Sequence, residues 1–291
     1  MAKYYYLIAG LPDISFSEEK PSYTLSQFRD EVYDAVSEKD RKLLDMVFLT
    51  VDHENLVSLL DAFIKGKTPD ELTEIPLKSD QGLFSASQLV ALIQAAAESE
   101  KCPSELPKYM YDFVQLVLDE NNQTSQFRED VLSSMFYDYA AGIRNAFVRN
   151  WMLFNRDLAN IQTAMTARKY GLDASALIVG NDVVAQALKT SGARDWGLTG
   201  TVDFLDELVR INEEKDLTQR EKMIDIMRWN WLDENSFFNY FTIEKLFAML
   251  EKIRIAERWY KLDKEAGQKL FRMLISDLKQ QVEVPQEFEN N

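Results

Sequence analysis

The sequence has little of the chemistry on which most enzymes depend. It contains one histidine, His53, and one cysteine, Cys102, among its 291 residues. A lone cysteine cannot form an internal disulfide, and without a Cys/His cluster it cannot complete a zinc site. This cysteine usage fits a reducing compartment. We interpret His53 as a solvated helix residue and expect no metal, no cofactor and no catalytic residue.

Sequence motifs for phosphate binding and nucleophilic catalysis are missing as well. The chain has no Gly-x-x-x-x-Gly-Lys-Ser/Thr, no Gly-x-Gly-x-x-Gly and no Gly-x-Ser-x-Gly. Nucleotides and small-molecule substrates therefore have no recognisable site. The pairs Asp119-Glu120 and Asp233-Glu234 resemble magnesium ligands, but their position after apolar stretches favours two helix ends. We predict a non-catalytic protein, and a helical enzyme without familiar motifs stays as an alternative.

Positive charge and long apolar runs are also scarce. With 33 Lys and Arg against 48 Asp and Glu, the net charge is −15. Such a surface repels a phosphate backbone, so nucleic acid is not an expected partner. The longest nearly apolar stretch, Leu89 to Ala97, is far shorter than the roughly 20 residues of a transmembrane helix. The N-terminus lacks a signal-peptide cleavage pattern, and we expect a cytoplasmic protein.

Proline is missing between Lys108 and Val284, which permits long helices. Leu246, Leu250 and Ile253 recur at helical spacing, and the one weak strand candidate is Tyr4 to Ile8. We therefore predict an all-α fold with at most one short N-terminal strand. Paired Ser/Thr and Glu/Gln residues predict four helix starts with capping boxes: Thr24/Gln27, Thr68/Glu71, Ser85/Gln88 and Thr218/Glu221.

Two further regions stand out along the chain. Clustered glycines separate a helical block that ends near Tyr170 from one that begins near Thr201, and they predict a hinge or linker. An aromatic run between Trp229 and Phe241 follows. Large aromatic side chains dominate both cores and interfaces, so this run is either core or, where its rings are exposed, a docking patch.

A short motif, Asp-x-x-Asn-aliphatic, occurs twice. The two copies begin at Asp52 and Asp157, and a degenerate third copy begins at Glu257. Internal similarity of this kind suggests repeated structural units. We select six polar residues as candidate site residues. Five come from the three copies and one, Arg168, lies further along the helix that carries the second copy: Asp52, Asn55, Asp157, Asn160, Arg168 and Glu257.

Two of these charged residues lie on an apolar helix face. Asp157 shares a stripe with Ile161, Met165 and Arg168. Eleven residues at 1.5 Å each separate Asp157 from Arg168 by roughly 16 Å, so we expect each to find a partner on a neighbouring helix. The selected residues are either structural pins that fix helix register or the lining of a cavity or interface that receives another protein.

The sequence around the second copy resembles a known family. Three consecutive stretches carry the resemblance: Asn155-Arg-Asp157-Leu-Ala-Asn160-Ile161, Ala167-Arg168-Lys-Tyr-Gly171 and Leu177-Ile-Val-Gly180. Together they are similar to the central signature of the C-type connector subunits of V/A-type ATPases, whose eukaryotic counterparts are the d-type subunits. The match is strongest over 151–180, weaker over 41–65 and faint over 244–278, where Tyr260 replaces the family's Asn. The N-terminus and the segment 71–107 depart from the family pattern.

The resemblance implies both an architecture and a function. The connector subunits are built from three related helical-bundle repeats that form a funnel, which we place at 1–105, 106–200 and 201–291. They are non-catalytic and link the rotor shaft of the rotary ATPase to its membrane ring, so shaft and ring are the implied partners. The implied location is cytoplasmic and peripheral to the inner membrane. A generic helical scaffold or adaptor that binds a basic partner is the alternative.

Overall fold

The structure, a computed structural model, describes residues 4–16, 21–119 and 127–281, with the backbone alone for residue 264 and for 266–281. All regular structure in these ranges is helical. The all-α prediction is therefore confirmed. Of the sequence predictions, Glu120 lies outside the described residues.

The described residues contain thirteen helices. In chain order they are α1 (Tyr5–Gly10), α2 (Leu25–Val32), α3 (Glu38–Asp45), α4 (Leu49–Ile64), α5 (Pro69–Thr73), α6 (Ala86–Ala97), α7 (Lys108–Leu118), α8 (Arg128–Ala141), α9 (Ala146–Tyr170), α10 (Val183–Thr190), α11 (Leu205–Asn212), α12 (Leu217–Ser236) and α13 (Ile243–Gln281). The three longest, α9, α12 and α13, fall in the proline-free part of the sequence, as expected.

The strand predicted at Tyr4 to Ile8 is wrong, because Tyr5 to Ile8 belong to α1 and Tyr4 is its N-cap. The backbone N–H of Ile8 donates to the carbonyl of Tyr4 at 3.0 Å, which is a helical hydrogen bond. A strand needs a partner strand for its backbone groups, and the described ranges offer none.

Three of the four predicted capping boxes are confirmed. Thr24, Thr68 and Ser85 each accept a hydrogen bond from the backbone three residues later, and the Gln or Glu at that position bonds back. The fourth prediction is wrong by two residues. Asp216 caps α12 instead, because its carboxylate accepts from the backbone N–H of Gln219, and Thr218 lies inside the helix.

The chain divides into two compact units, and the three related repeats expected at 1–105, 106–200 and 201–291 stay a prediction. One unit is Met1–Val36 with Phe241–Asn291, and the other is Ser37–Tyr240. The two chain ends belong together because α2 packs on α13. A backbone hydrogen bond from Tyr4 to the carbonyl of Phe241 adds to this pairing.

In the smaller unit, α13 supplies the core. Its residues Leu246, Leu250 and Ile253 are fully buried, so the predicted apolar stripe is confirmed. Leu25, Phe28 and Val32 of α2 are buried as well. Spacings of three and four residues on both helices place each set on one face, and burying those two faces holds the unit together.

In the larger unit, helices that follow one another pack side by side. α6 packs on α7, α7 on α8 and α8 on α9, and α4 lies against α6 and α8. A second group of helices, α10, α11 and α12, packs on α9. Rings from α9 and α12 meet in an aromatic cluster that includes Trp151, Phe154 and Trp231. The long helix α9 is therefore the centre of this unit.

The glycine-rich segment after α9 is only partly a linker. Gly171, at φ 67°, ends α9 in the left-handed conformation that favours glycine. This confirms the end predicted near Tyr170. The segment then forms α10, and the next helix begins at Leu205 rather than Thr201.

The interpretation of His53 as a solvated residue is wrong. Its ring lies edge-on to Phe136, 5.1 Å between centroids, and its Nε2 lies 2.7 Å from the hydroxyl of Tyr109. Burial lowers the pKa of His53 to about 4 and raises that of Tyr109 well above its usual range. The side chain is therefore a neutral part of the core between α4, α7 and α8.

Candidate functional site

The first Asp-x-x-Asn turn, in α4, holds the chain segment that leads into α6. Asp52 and Asn55 are fully buried. The carboxylate of Asp52 accepts from the backbone N–H of Leu83 at 3.0 and 3.1 Å and from that of Phe84 at 3.2 Å. The Asn55 amide donates to the carbonyl of Ser79 at 2.9 Å and accepts from its N–H at 3.3 Å. One turn of α4 thus supplies hydrogen-bond partners for four backbone groups in the segment 79–84, which lies outside the helices and lacks a regular pattern of backbone hydrogen bonds.

Gly82 allows this close approach. A Cβ on Gly82 would lie 2.2 Å from Oδ1 and 3.1 Å from Cγ of Asp52. Real Cβ atoms do not come so near, and the buried carboxylate has little room to move. Glycine is therefore required here by space.

The second turn, in α9, repeats the amide contact. Asn160 donates to the carbonyl of Val179 at 2.7 Å and accepts from its N–H at 2.9 Å. Val179 leads into α10, as Ser79 leads into α6. Both asparagines therefore clamp one residue of the segment before a following helix. We call this double hydrogen bond the asparagine clamp.

The carboxylate of the second turn has a different partner. Asp157 accepts from its neighbour Arg156 at 2.7 and 3.0 Å, and the same guanidinium pairs with Asp182, the residue that caps α10. Arg156 is only 7% exposed. Burial raises the pKa of Asp157, although Arg156 opposes that shift. The prediction that Asp157 pairs with a neighbouring helix is wrong, because Arg156 on the same helix carries the link.

The third, degenerate copy also holds a helix start. Glu257 accepts from the backbone N–H of Leu25, the first residue of α2, at 2.8 Å. Lys261 lies one turn away, 3.7 Å from the same carboxylate. A carboxylate at a helix N-terminus satisfies a donor that has no partner within the helix and is favoured by the helix dipole. Tyr260, in the place of Asn, makes no clamp in the hydrogen bonds described for this unit.

Arg168 does not bind a neighbouring helix either. Its guanidinium donates to the carbonyls of Ala193 and Arg194 at 2.9 and 2.7 Å, in the turn before α11. It also stacks over the ring of Trp196, 4.0 Å from the centroid. Asp157 and Arg168 thus stabilise different segments, the start of α10 through Arg156 and the turn before α11. Arg168 lies beside a cavity of about 600 Å³, which opens between the end of α9 and α11.

The aromatic run divides between core and surface. Trp229 is buried and Trp231 belongs to the cluster around Trp151. Phe237, Phe238 and Tyr240, by contrast, are 59%, 84% and 58% exposed and contact one another. The core interpretation is therefore confirmed for Trp229, and the docking patch stays a prediction for the exposed rings.

Comparison with known proteins gives a family and nothing more. A family described as "Protein of unknown function (DUF2764)" matches residues 1–282. The chain belongs to the DUF2764 family. No curated protein and no solved structure matches it. The similarity to the rotary ATPase connector therefore stays a prediction for this DUF2764 protein.

Among the described residues of this DUF2764 chain, no three His, Cys, Asp or Glu side chains lie close enough together to hold a metal ion. Asp119 caps the end of α7, and Asp233 lies in the last turn of α12, where helix ends were expected. In the same residues, no helix combines the length and the apolar character needed to cross a membrane.

Sequence reasoning missed several residues that complete these contacts. Arg156 lies inside the second Asp-x-x-Asn region, between Asn155 and Asp157, but its role depends on Asp182, 26 residues away, and no local pattern indicates that pairing. Gly82 lies three residues before the capping residue Ser85, and a glycine so near a helix start can indicate a close backbone approach. No sequence pattern marks Trp196, because its role depends on the turn that brings its ring under Arg168.

Proposed function

We propose that this protein is the central-stalk connector of a V/A-type rotary ATPase. In this function it links the rotor shaft to the membrane ring in the cytoplasm and hydrolyses nothing itself. The observation that carries the proposal is the asparagine clamp, which occurs at both Asn55 and Asn160. The motif behind the resemblance to the connector family is thus a duplicated structural device, as expected of a protein built from related repeats.

The mechanism would depend on stiffness. Torque is delivered only if the connector deforms little between shaft and ring. Helix α9 has 25 residues, which corresponds to about 38 Å of continuous helix. Buried polar links at Asp52 and Arg156 tie the helices α4 and α9 to the segments beside them. Such links fix one relative position of neighbouring elements, which is what a torque-bearing part requires.

Co-expression with the rotary ATPase subunits of the same genome tests the proposal. A tagged form of the protein should retain the purified shaft subunits and, in detergent, the ring. In reconstituted vesicles, ATP hydrolysis should drive ion transport only when the protein is present. Retention of neither shaft nor ring would contradict the proposal.

A second function, that of an adaptor, is favoured by a separate observation. The exposed rings of Phe237, Phe238 and Tyr240 follow the exposed acids Asp233 and Glu234 on α12. Apolar rings beside acids suit a basic protein surface. The co-purification experiment separates the two functions, because an adaptor would retain partners outside the rotary ATPase.

A further inference from the structure

The cavity between α9 and α11 has the form of a docking groove. Its volume of about 600 Å³ lies within the usual range of binding pockets. Met165, Trp196 and Leu205 are buried and line it, and Val209 is half-buried at its side. We call this feature the α9–α11 groove. Its floor is apolar and large enough for one or two large apolar side chains.

One residue of the groove lining, Trp196, has a strained backbone conformation. Trp196 has φ 54°, a region that bulky residues rarely adopt and that marks functional or tightly constrained positions. Arg168 stacks on its ring and donates to the carbonyls of the same turn. The planar guanidinium suits both contacts at once. The groove is therefore already formed before any partner binds.

The two walls of the groove carry opposite charge. Lys169 and Arg194 line the wall formed by the end of α9 and the following turn, and Asp206 and Glu213 line the α11 wall. All four are exposed. Asp195 also lines the groove, but its carboxylate already accepts from the Thr199 hydroxyl at 2.6 Å and the Gly197 N–H at 3.1 Å. The exposed charges thus leave one basic and one acidic wall around an apolar floor.

We propose that the α9–α11 groove binds the end of an amphipathic helix whose apolar ridge is flanked by acids on one side and by bases on the other. This is the surface that a coiled-coil helix presents, with its a and d ridge between charged e and g positions. The inference rests on the proposed function, since the coiled-coil tip of the rotor shaft is the occupant. An anionic membrane or a phosphate ligand would be repelled by Asp206 and Glu213.

Charge reversal on α11 tests the groove with a matched control. Asp206→Lys changes a groove residue, and Glu207→Lys makes the same change at the adjacent exposed position, which does not line the groove. The dissociation constant of purified shaft subunits for the full-length protein is measured by calorimetry. Loss of an attractive pair and gain of a repulsive one should weaken binding about 10-fold for Asp206→Lys and less than about 2-fold for Glu207→Lys. The difference should shrink at high salt.

The apolar floor is tested by a second matched pair. Val209→Glu places a charge in the groove, and Val183→Glu places one on a side chain that is already 75% exposed on α10. We expect about 100-fold weaker shaft binding for the first and no change for the second, because a charge buried without a partner is strongly unfavourable. Thermal melting of each variant shows whether it is folded. If Val209→Glu unfolds, the exposed variant Asp206→Lys decides.

The outcomes separate this inference from the proposed function. If the unaltered protein binds neither shaft nor ring, both fail. If it binds the shaft and the groove variants bind as tightly as their controls, the groove inference alone is overturned. If sedimentation shows a dimer that Asp206→Lys dissociates while shaft binding is unchanged, the occupant is a second copy, and the inference is again overturned.

Discussion

The turns at Asp52/Asn55 and Asp157/Asn160 use the same amide contact and different carboxylate contacts. In α4 the carboxylate reaches the backbone directly, because Gly82 lets Leu83 and Phe84 come close. In α9 the carboxylate binds Arg156, and this guanidinium reaches Asp182 at the start of α10. In both turns the asparagine amide therefore binds the segment before the next helix. The carboxylate differs, because it binds backbone N–H groups in α4 and the Arg156 side chain in α9.

The comparison also separates a rigid contact from an adaptable one. Asp52 is fully buried against backbone donors that cannot turn away, whereas the side chain of Asp157 keeps 16% of its surface exposed and binds a long side chain. A buried donor that loses its acceptor is costly, while a side-chain donor with a second acceptor can keep one bond. The first turn should therefore tolerate less change than the second.

The largest difference is expected between Asp52→Ala and Asp157→Ala. The first removes the fully buried carboxylate that accepts from the N–H groups of Leu83 and Phe84, and should lower the free energy of unfolding by about 4 kcal/mol. The second leaves Arg156 paired with Asp182, and should lower it by about 1 kcal/mol. Urea unfolding followed by circular dichroism measures both. Equal losses would contradict the distinction between the two turns.

Acid should weaken the α4 region more than the α9 region. His53 follows Asp52 directly, and Leu158 holds the same place after Asp157. The folded state keeps His53 neutral with a pKa of about 4, whereas in the unfolded chain the pKa is about 6.5. The unfolded state therefore binds the extra proton between these values, and stability falls as the pH drops from 6.5 toward 4, by roughly 3 kcal/mol in total.

The substitution His53→Leu gives the control for this acid effect. It should remove that part of the pH dependence while the carboxylates continue to titrate. Unfolding free energies of both proteins at pH 7 and at pH 4.5 provide the comparison. If the two proteins lose the same stability on acidification, His53 does not titrate as described.

A smaller difference is expected between the glycines of the two segments. Gly82→Ala forces a Cβ against the carboxylate of Asp52, whereas in Gly180→Ala the new Cβ would meet only the flexible side chain of Arg156 at 3.6 Å. Gly180, however, has φ 92°, and alanine there is strained by about 1 kcal/mol. We expect Gly82→Ala to be the more destabilising by about 2 kcal/mol. Melting temperatures of the two variants give the order, and the reverse order would show that backbone strain outweighs the close contact.

Much of the fold, and less of the site, could be predicted from the sequence. Helix starts at Thr24, Thr68 and Ser85 are set by local hydrogen bonds, so a local motif was enough to find them. The grouping of the chain ends was missed, because the contact between Leu25 and Glu257 joins residues 232 apart. Burial of His53 was missed for the same reason, since Tyr109 and Phe136 come from other helices.

The smallest difference is expected between the two asparagine clamps. Asn55→Ala and Asn160→Ala each remove one donor and one acceptor from a backbone residue, so each should lower the free energy of unfolding by about 2 kcal/mol. Both asparagines are buried in helices of the larger unit, and each holds a segment that leads into a following helix. If the clamp is one device used twice, the two losses should agree within about 0.5 kcal/mol. A difference above about 1.5 kcal/mol, measured in the same urea titrations, would mean that the two amides contribute differently to stability. Such a result would weaken the link between the repeated motif and the connector function.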